Sequence, residues 1–149
     1  MDGRAGPSRR LPLNPVPDSW YRVASVDDVP VGTVFPVRAF GRDLICYRGG
    51  SGRLSVLDAY CPHLGANIGC GGFVDGDEVV CPFHHWRFDA DGRNTRIPYR
   101  DRPNRGARLG SWRTLERNGQ ILVWYSSRGA EPDWEPPELA EATSPDFVR

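Results

Sequence analysis

Two short cysteine–histidine pairs set the tightest constraint on this chain of 149 residues. They are Cys61-Pro62-His63 and Cys81-Pro82-Phe83-His84, with 17 residues between His63 and Cys81. The chain holds only four cysteines and three histidines, and all seven lie between Cys46 and His85. At that composition one Cys-x-His is expected ~0.08 times, and both pairs together ~0.006 times. Each pair offers one thiolate and one imidazole on neighbouring positions of a turn. No signal peptide is evident, so metal ligands or plain thiols are expected rather than a disulfide frame.

The rest of the chain has to deliver two such turns to one place. Seventeen glycines and fourteen prolines punctuate about a fifth of it, which excludes a helical bundle and favours short strands. Strands are expected at 20–23, 33–40, 42–47, 53–57, 72–74, 78–80, 87–89, 111–115 and 121–125, each β-rich and bounded by turn residues. Gly49-Gly50-Ser51-Gly52 reads as a hairpin connection, and Asp75-Gly76-Asp77 and Asn118-Gly119 as tight turns. A short helical turn capped by Ser25 is expected over 25–29. The fold class is therefore all-β, a small antiparallel sandwich or barrel. Residues 1–18 read as a flexible arm, 19–128 as one domain, and 129–149 as a Pro/acid-rich strap.

Nineteen basic and nineteen acidic residues cancel, so there is no electrostatic footprint for nucleic acid or an anionic membrane. No run approaches the roughly 18 apolar residues of a membrane span. Ser8-Arg9-Arg10-Leu11 resembles a twin-arginine signal, but Pro12-Leu13-Asn14-Pro15 follows where an apolar segment belongs. A cytoplasmic protein is expected. All nineteen basic residues are arginine. Those at 93, 96, 100, 102, 105 and 108 read either as a solvated loop or as a surface for an acidic redox partner.

The order of the ligands points to the metal. Structural zinc sites usually join a Cys-x₂₋₄-Cys pair to a His pair or a second Cys pair. Mixed pairs suit a binuclear [2Fe-2S] centre in which Cys61 and Cys81 bind one iron and His63 and His84 the other. A structural zinc or interaction module using the same four residues stands as the alternative. Cys70, in a Gly-rich loop, either competes as a ligand or is a small loop residue. Cys46 reads as a buried thiol in an apolar strand. His85 reads as a loop residue beside the cluster, and Trp86 as a shield for it or a core aromatic.

Cys61-Pro62-His63-Leu64-Gly65-Ala66 and Cys81-Pro82-Phe83-His84-His85-Trp86-Arg87-Phe88 closely resemble the Rieske domain of Rieske non-haem iron oxygenases. Gly92, Ile97-Pro98-Tyr99, the segment 119–124 and Pro132-Asp133-Trp134-Glu135 are most similar to the 3-ketosteroid 9α-hydroxylase and cholesterol-desaturase branch. The resemblance implies a Rieske-type sandwich with a cluster-binding loop subdomain and one [2Fe-2S] cluster. It also implies an electron-donating reductase and an oxygenase catalytic domain or subunit as partners. High-potential respiratory relatives carry an extra loop cysteine at each of two positions, here Ala66 and Phe83, and hydroxyl donors where this chain has Trp86 and Phe88. Their loss implies a cluster in the lower part of the Rieske range. Three histidines minus two ligands leave His85, too few for the 2-His-1-carboxylate iron site of an oxygenase. The expected role is an oxidoreductase component that relays one electron, with no complete catalytic site of its own.

Overall fold

A computed structural model describes residues 16–142 and 144–146. Most of the expected N-terminal arm, and the end of the strap, lie outside the described residues. The described residues form ten strands: β1 (Ser19–Ser25), β2 (Val34–Ala39), β3 (Arg42–Arg48), β4 (Leu54–Asp58), β5 (Phe73–Asp75), β6 (Glu78–Val80), β7 (Arg87–Phe88), β8 (Asn94–Arg96), β9 (Thr114–Arg117) and β10 (Gln120–Tyr125). A 3-10 turn at Val26–Asp28 follows β1. The Ser25 N–H donates to the Asp28 carboxylate there at 2.9 Å, so the capping contact runs through the backbone of Ser25. The all-β reading holds.

Every strand pair is antiparallel, in three sheets ordered β1-β10-β9, β2-β3-β4 and β5-β6-β7-β8. The middle sheet is covered on both faces. On β3, Leu44 and Cys46 enter one core with Ala24, Val29, Val56, Ile121 and Val123, which joins the first sheet to the second. Ile45 and Tyr47 point the other way, into a core with Leu57, Ile68, Val79, Phe88, Ile97 and Leu109 that joins the second sheet to the third. Alternation along a strand explains this split, and burial on both faces explains why Leu44-Ile45-Cys46-Tyr47 is uninterrupted by polar residues.

Two tight turns carry neighbouring left-handed residues: Phe40-Gly41 (φ +54° and +71°) and Asn118-Gly119 (φ +54° and +74°). That backbone matches the twist of the hairpins β2–β3 and β9–β10. Phe40 is bulky for such a position. Its ring stacks between Trp112 at 5.3 Å and Tyr125 at 4.6 Å, and those contacts offset the strain.

The strand expected at 111–115 starts later, at Thr114. Trp112 is drawn towards β4 instead: its backbone N–H donates to Val56 O at 3.0 Å and its indole N–H to Asp58 Oδ1 at 2.9 Å. The strand at 87–89 ends at Phe88, because the Asp89 carboxylate caps the next turn by accepting from the N–H groups of Asp91 and Arg93. β8 was not expected, since Asn94-Thr95-Arg96 has no apolar alternation. Asn94 is 5% exposed, donates to the carbonyls of Arg87 and Arg96, and accepts from the Asn104 N–H at 2.8 Å. One buried amide thus holds β7, β8 and the following loop together. The segment after β10 is tied down as well: Trp124 Nε1 donates to Ala130 O, Trp20 Nε1 donates to Trp134 O, and Arg117 pairs with Glu135 and Glu138.

Two outcomes are expected from these arrangements. Asn94→Ala strands buried backbone groups and is expected to lower unfolding free energy by about 2–3 kcal/mol, read by urea denaturation. Burial pushes the Cys46 thiol up to about 12 from 9.0. The neutral thiol therefore contributes stability that is complete below pH 9.0 and is lost as pH rises towards about 12. Melting temperatures across that window are expected to fall, and to fall less steeply in Cys46→Ala.

Candidate metal centre

The two Cys/His turns sit at the ends of the second and third sheets. The first lies between β4 and β5, the second between β6 and β7. They are built alike. The Cys61 N–H donates to Ala66 O and the Gly65 N–H returns to Cys61 O, both at 2.9 Å. In the second turn the Cys81 N–H donates to Trp86 O at 2.9 Å and the His85 N–H to Cys81 O at 3.1 Å. Gly65 (φ +77°) and His85 (φ +57°) occupy equivalent left-handed corners. A histidine at such a corner is strained relative to glycine, so His85 is a structural member of the second turn as well as a surface residue. That role could not be seen from spacing.

The structure brings together the four residues singled out in the sequence. Cys61 and Cys81 are 2% and 1% exposed and belong to the core that joins the second and third sheets. Their thiols are close enough for each to affect the other's ionisation. Burial pushes the Cys61 thiol up to about 11, opposed by the His63 N–H on its sulfur and reinforced by the neighbouring Cys81. Without metal Cys61 is a neutral thiol at physiological pH, so metal binding must displace its proton. His63 and His84 are half-buried, with ring centroids 4.6 Å apart at 76°.

The donors thus form two pairs, thiols inward and imidazoles outward. Among the described residues no three His, Cys, Asp or Glu side chains gather round one point to hold a single ion. Two soft donors at one end and two imidazoles at the other fit a two-iron group better than a four-ligand mononuclear one. Cys46 lies in the other core, Cys70 is exposed, and all four cysteines are free thiols.

Trp86 and Tyr99 complete the surroundings. The Trp86 indole lies flat on His63, with centroids 4.5 Å apart at 12°. Its N–H donates to the Tyr99 hydroxyl at 2.7 Å. Trp86 is 6% exposed, so it both shields the site and belongs to the core. Tyr99 was legible only as part of a motif; the contact spans thirteen residues and no local spacing announces it. Leu64, Phe83 and Tyr99, 67%, 63% and 57% exposed, form an apolar rim beside the imidazoles. Tyr99→Phe removes the acceptor of a buried indole N–H. It is expected to cost about 1–3 kcal/mol in denaturation and to alter Trp86 fluorescence.

A family profile for the Rieske [2Fe-2S] domain matches residues 19–121. Over 144 residues the chain is 42% identical to a cholesterol 7-desaturase of Bombyx mori, covering 93% of this chain and 32% of that protein. It is 40% identical over 121 residues to the oxygenase component of a 3-ketosteroid-9-alpha-monooxygenase of Rhodococcus rhodochrous, covering 81% of this chain and 31% of that protein. The chain therefore spans about a third of the length of the curated relatives it matches. Among solved structures, dicamba monooxygenase superposes with a TM-score of 0.75 at 22% identity, over 86% of this chain and 40% of that one, a likeness of fold. Among the described residues no helix is long and apolar enough to cross a membrane. The chain belongs to the Rieske [2Fe-2S] domain family, which implies a Rieske-type [2Fe-2S] cluster, and its similarity runs to the cholesterol-desaturase and 3-ketosteroid-hydroxylase branch.

Proposed function

We propose that residues 19–128 form a one-electron relay, with Cys61 and Cys81 binding the inner iron of the cluster and His63 and His84 the outer. One observation carries this reading: two thiols are buried in the core while two imidazoles face outward from the same pair of turns. When bound, the cluster supplies a single reversible redox step. The buried Cys61 and Cys81 would keep water from the iron they hold, and Trp86 covers one face of His63. Neutral imidazoles in place of two thiolates make the cluster less negative and raise its potential above that of an all-cysteine cluster. Trp86 and Phe88 bring no hydroxyl donor to the sulfurs, which holds the potential towards the lower part of the Rieske range, nearer the ~−150 mV end.

The electron comes from a reductase and passes through the imidazole face to a mononuclear-iron oxygenase centre. Three histidines, two of them cluster ligands, leave too few for that centre within these 149 residues. The relatives' names support a sterol as the substrate finally oxidised.

The test is anaerobic reconstitution with iron and sulfide, followed by visible and electron paramagnetic resonance spectra. A brown protein with two irons and two sulfides per chain is expected. Cys61→Ala, His63→Ala, Cys81→Ala and His84→Ala are each expected to lose the cluster or its reduced-state signal. The double variant Cys46→Ala, Cys70→Ser is expected to keep both. A native spectrum in His84→Ala, or a colourless chain binding one zinc, would overturn the assignment. With a reductase and oxygen but no catalytic domain, no hydroxylated sterol is expected by mass spectrometry.

A further inference from the structure

Charge is unevenly distributed over the surface. Eight of the fifteen described arginines pair with a carboxylate. Five of the seven that do not lie within thirteen residues: Arg96, Arg100, Arg102, Arg105 and Arg108, all exposed. Arg100, Arg102 and Arg105 line an open cleft of about 780 Å³ with Pro103 and Asn104. Asp101 is the one acid in that stretch.

The loop is held at both ends. Ile97, Ala107 and Leu109 are anchored in the core that contains Cys61 and Cys81, and Asn94 clamps the Arg96 carbonyl and the Asn104 N–H. Tyr99, next to Arg100, reaches the Trp86 indole beside His63. Arg100 thus stands at the edge of the apolar rim around the imidazoles, and Arg102 and Arg105 share its cleft. Five arginines on one short loop with a single acid among them repel one another, and an acidic surface would relieve that repulsion.

We infer that the loop 96–108 is the docking element for an acidic electron-donor protein, which seats its redox centre against the apolar rim of Leu64, Phe83 and Tyr99. The inference rests on the relay reading above. The donor is the better match than the catalytic domain, because exposed charges around a small apolar contact suit a partner that must arrive fast and leave each cycle. In the encounter one electron passes: the donor is oxidised by one and the cluster is reduced by one, with no bond made or broken.

The experiment uses the full chain loaded with its cluster. Its reduction is followed by stopped flow with a chemically reduced, net-acidic plant-type [2Fe-2S] ferredoxin, a donor whose potential lies below the Rieske range. Photoreduced riboflavin serves as a small donor that needs no docking. The triple variant Arg100→Glu, Arg102→Glu, Arg105→Glu is compared with Arg22→Glu, Arg38→Glu, Arg128→Glu, which changes net charge equally elsewhere. The loop variant is expected to lose about tenfold or more in second-order rate at low salt, and most of its salt dependence. The control variant is expected to lose less than about threefold, and riboflavin to reduce all three proteins alike. Equal losses in the two variants would overturn the proposal, since net charge alone would explain them. So would slower reduction by riboflavin in the loop variant. A loaded chain with any of those outcomes leaves the relay reading standing. A chain that takes up no cluster overturns both.

Discussion

Burial of Cys61 and Cys81 in the apolar core between the second and third sheets is the constraint on which the rest depends. The same two residues close the turns through their backbones and present their sulfurs inside them. The site is therefore part of the core and cannot shift without disturbing Ile45, Leu57 and Phe88. Burial makes the free Cys61 thiol hard to ionise, a cost that the His63 N–H offsets in part and a bound cation would offset further. Fold and metal affinity are coupled for this reason.

The two turns share one hydrogen-bond pattern, yet place their histidines differently. His63 is two residues after its cysteine and His84 three, so the equivalent of His63 in the second turn is Phe83, which points to solvent. This one-residue offset lets two similar turns meet with their imidazoles edge to face rather than colliding. The imidazole pair is bordered by apolar side chains, and one of these, Tyr99, belongs to the anchored arginine loop. Tyr99 joins the two, since its hydroxyl accepts from the Trp86 indole beside His63 and its backbone leads into Arg100.

Much of the strand order was legible because turn chemistry is local. Asn118-Gly119, the Gly-rich hairpin before β4 and the uninterrupted apolar run of β3 each announce their structure within a few residues. β8 and the displaced start of β9 were not legible. The first exists because one buried amide, Asn94, satisfies three backbone groups drawn from separate segments. The second is late because the Trp112 indole finds Asp58 fifty-four residues away. His85 shows the same limit: its left-handed corner follows from the match to Gly65, which only the superposable turns reveal.

The sequence by itself determined the all-β class and singled out four candidate donors and the kind of metal group they suit, because residue identity and spacing are covalent properties of the chain. Tertiary structure alone decided which ends of the donors face inward and outward, because burial depends on neighbours from distant strands. It also decided that Trp86 is pinned by Tyr99, and that five arginines of one loop have no ion-pair partner while eight of the ten described arginines elsewhere are paired. Those are matters of packing and of which side chains meet across the fold, and no local pattern encodes them.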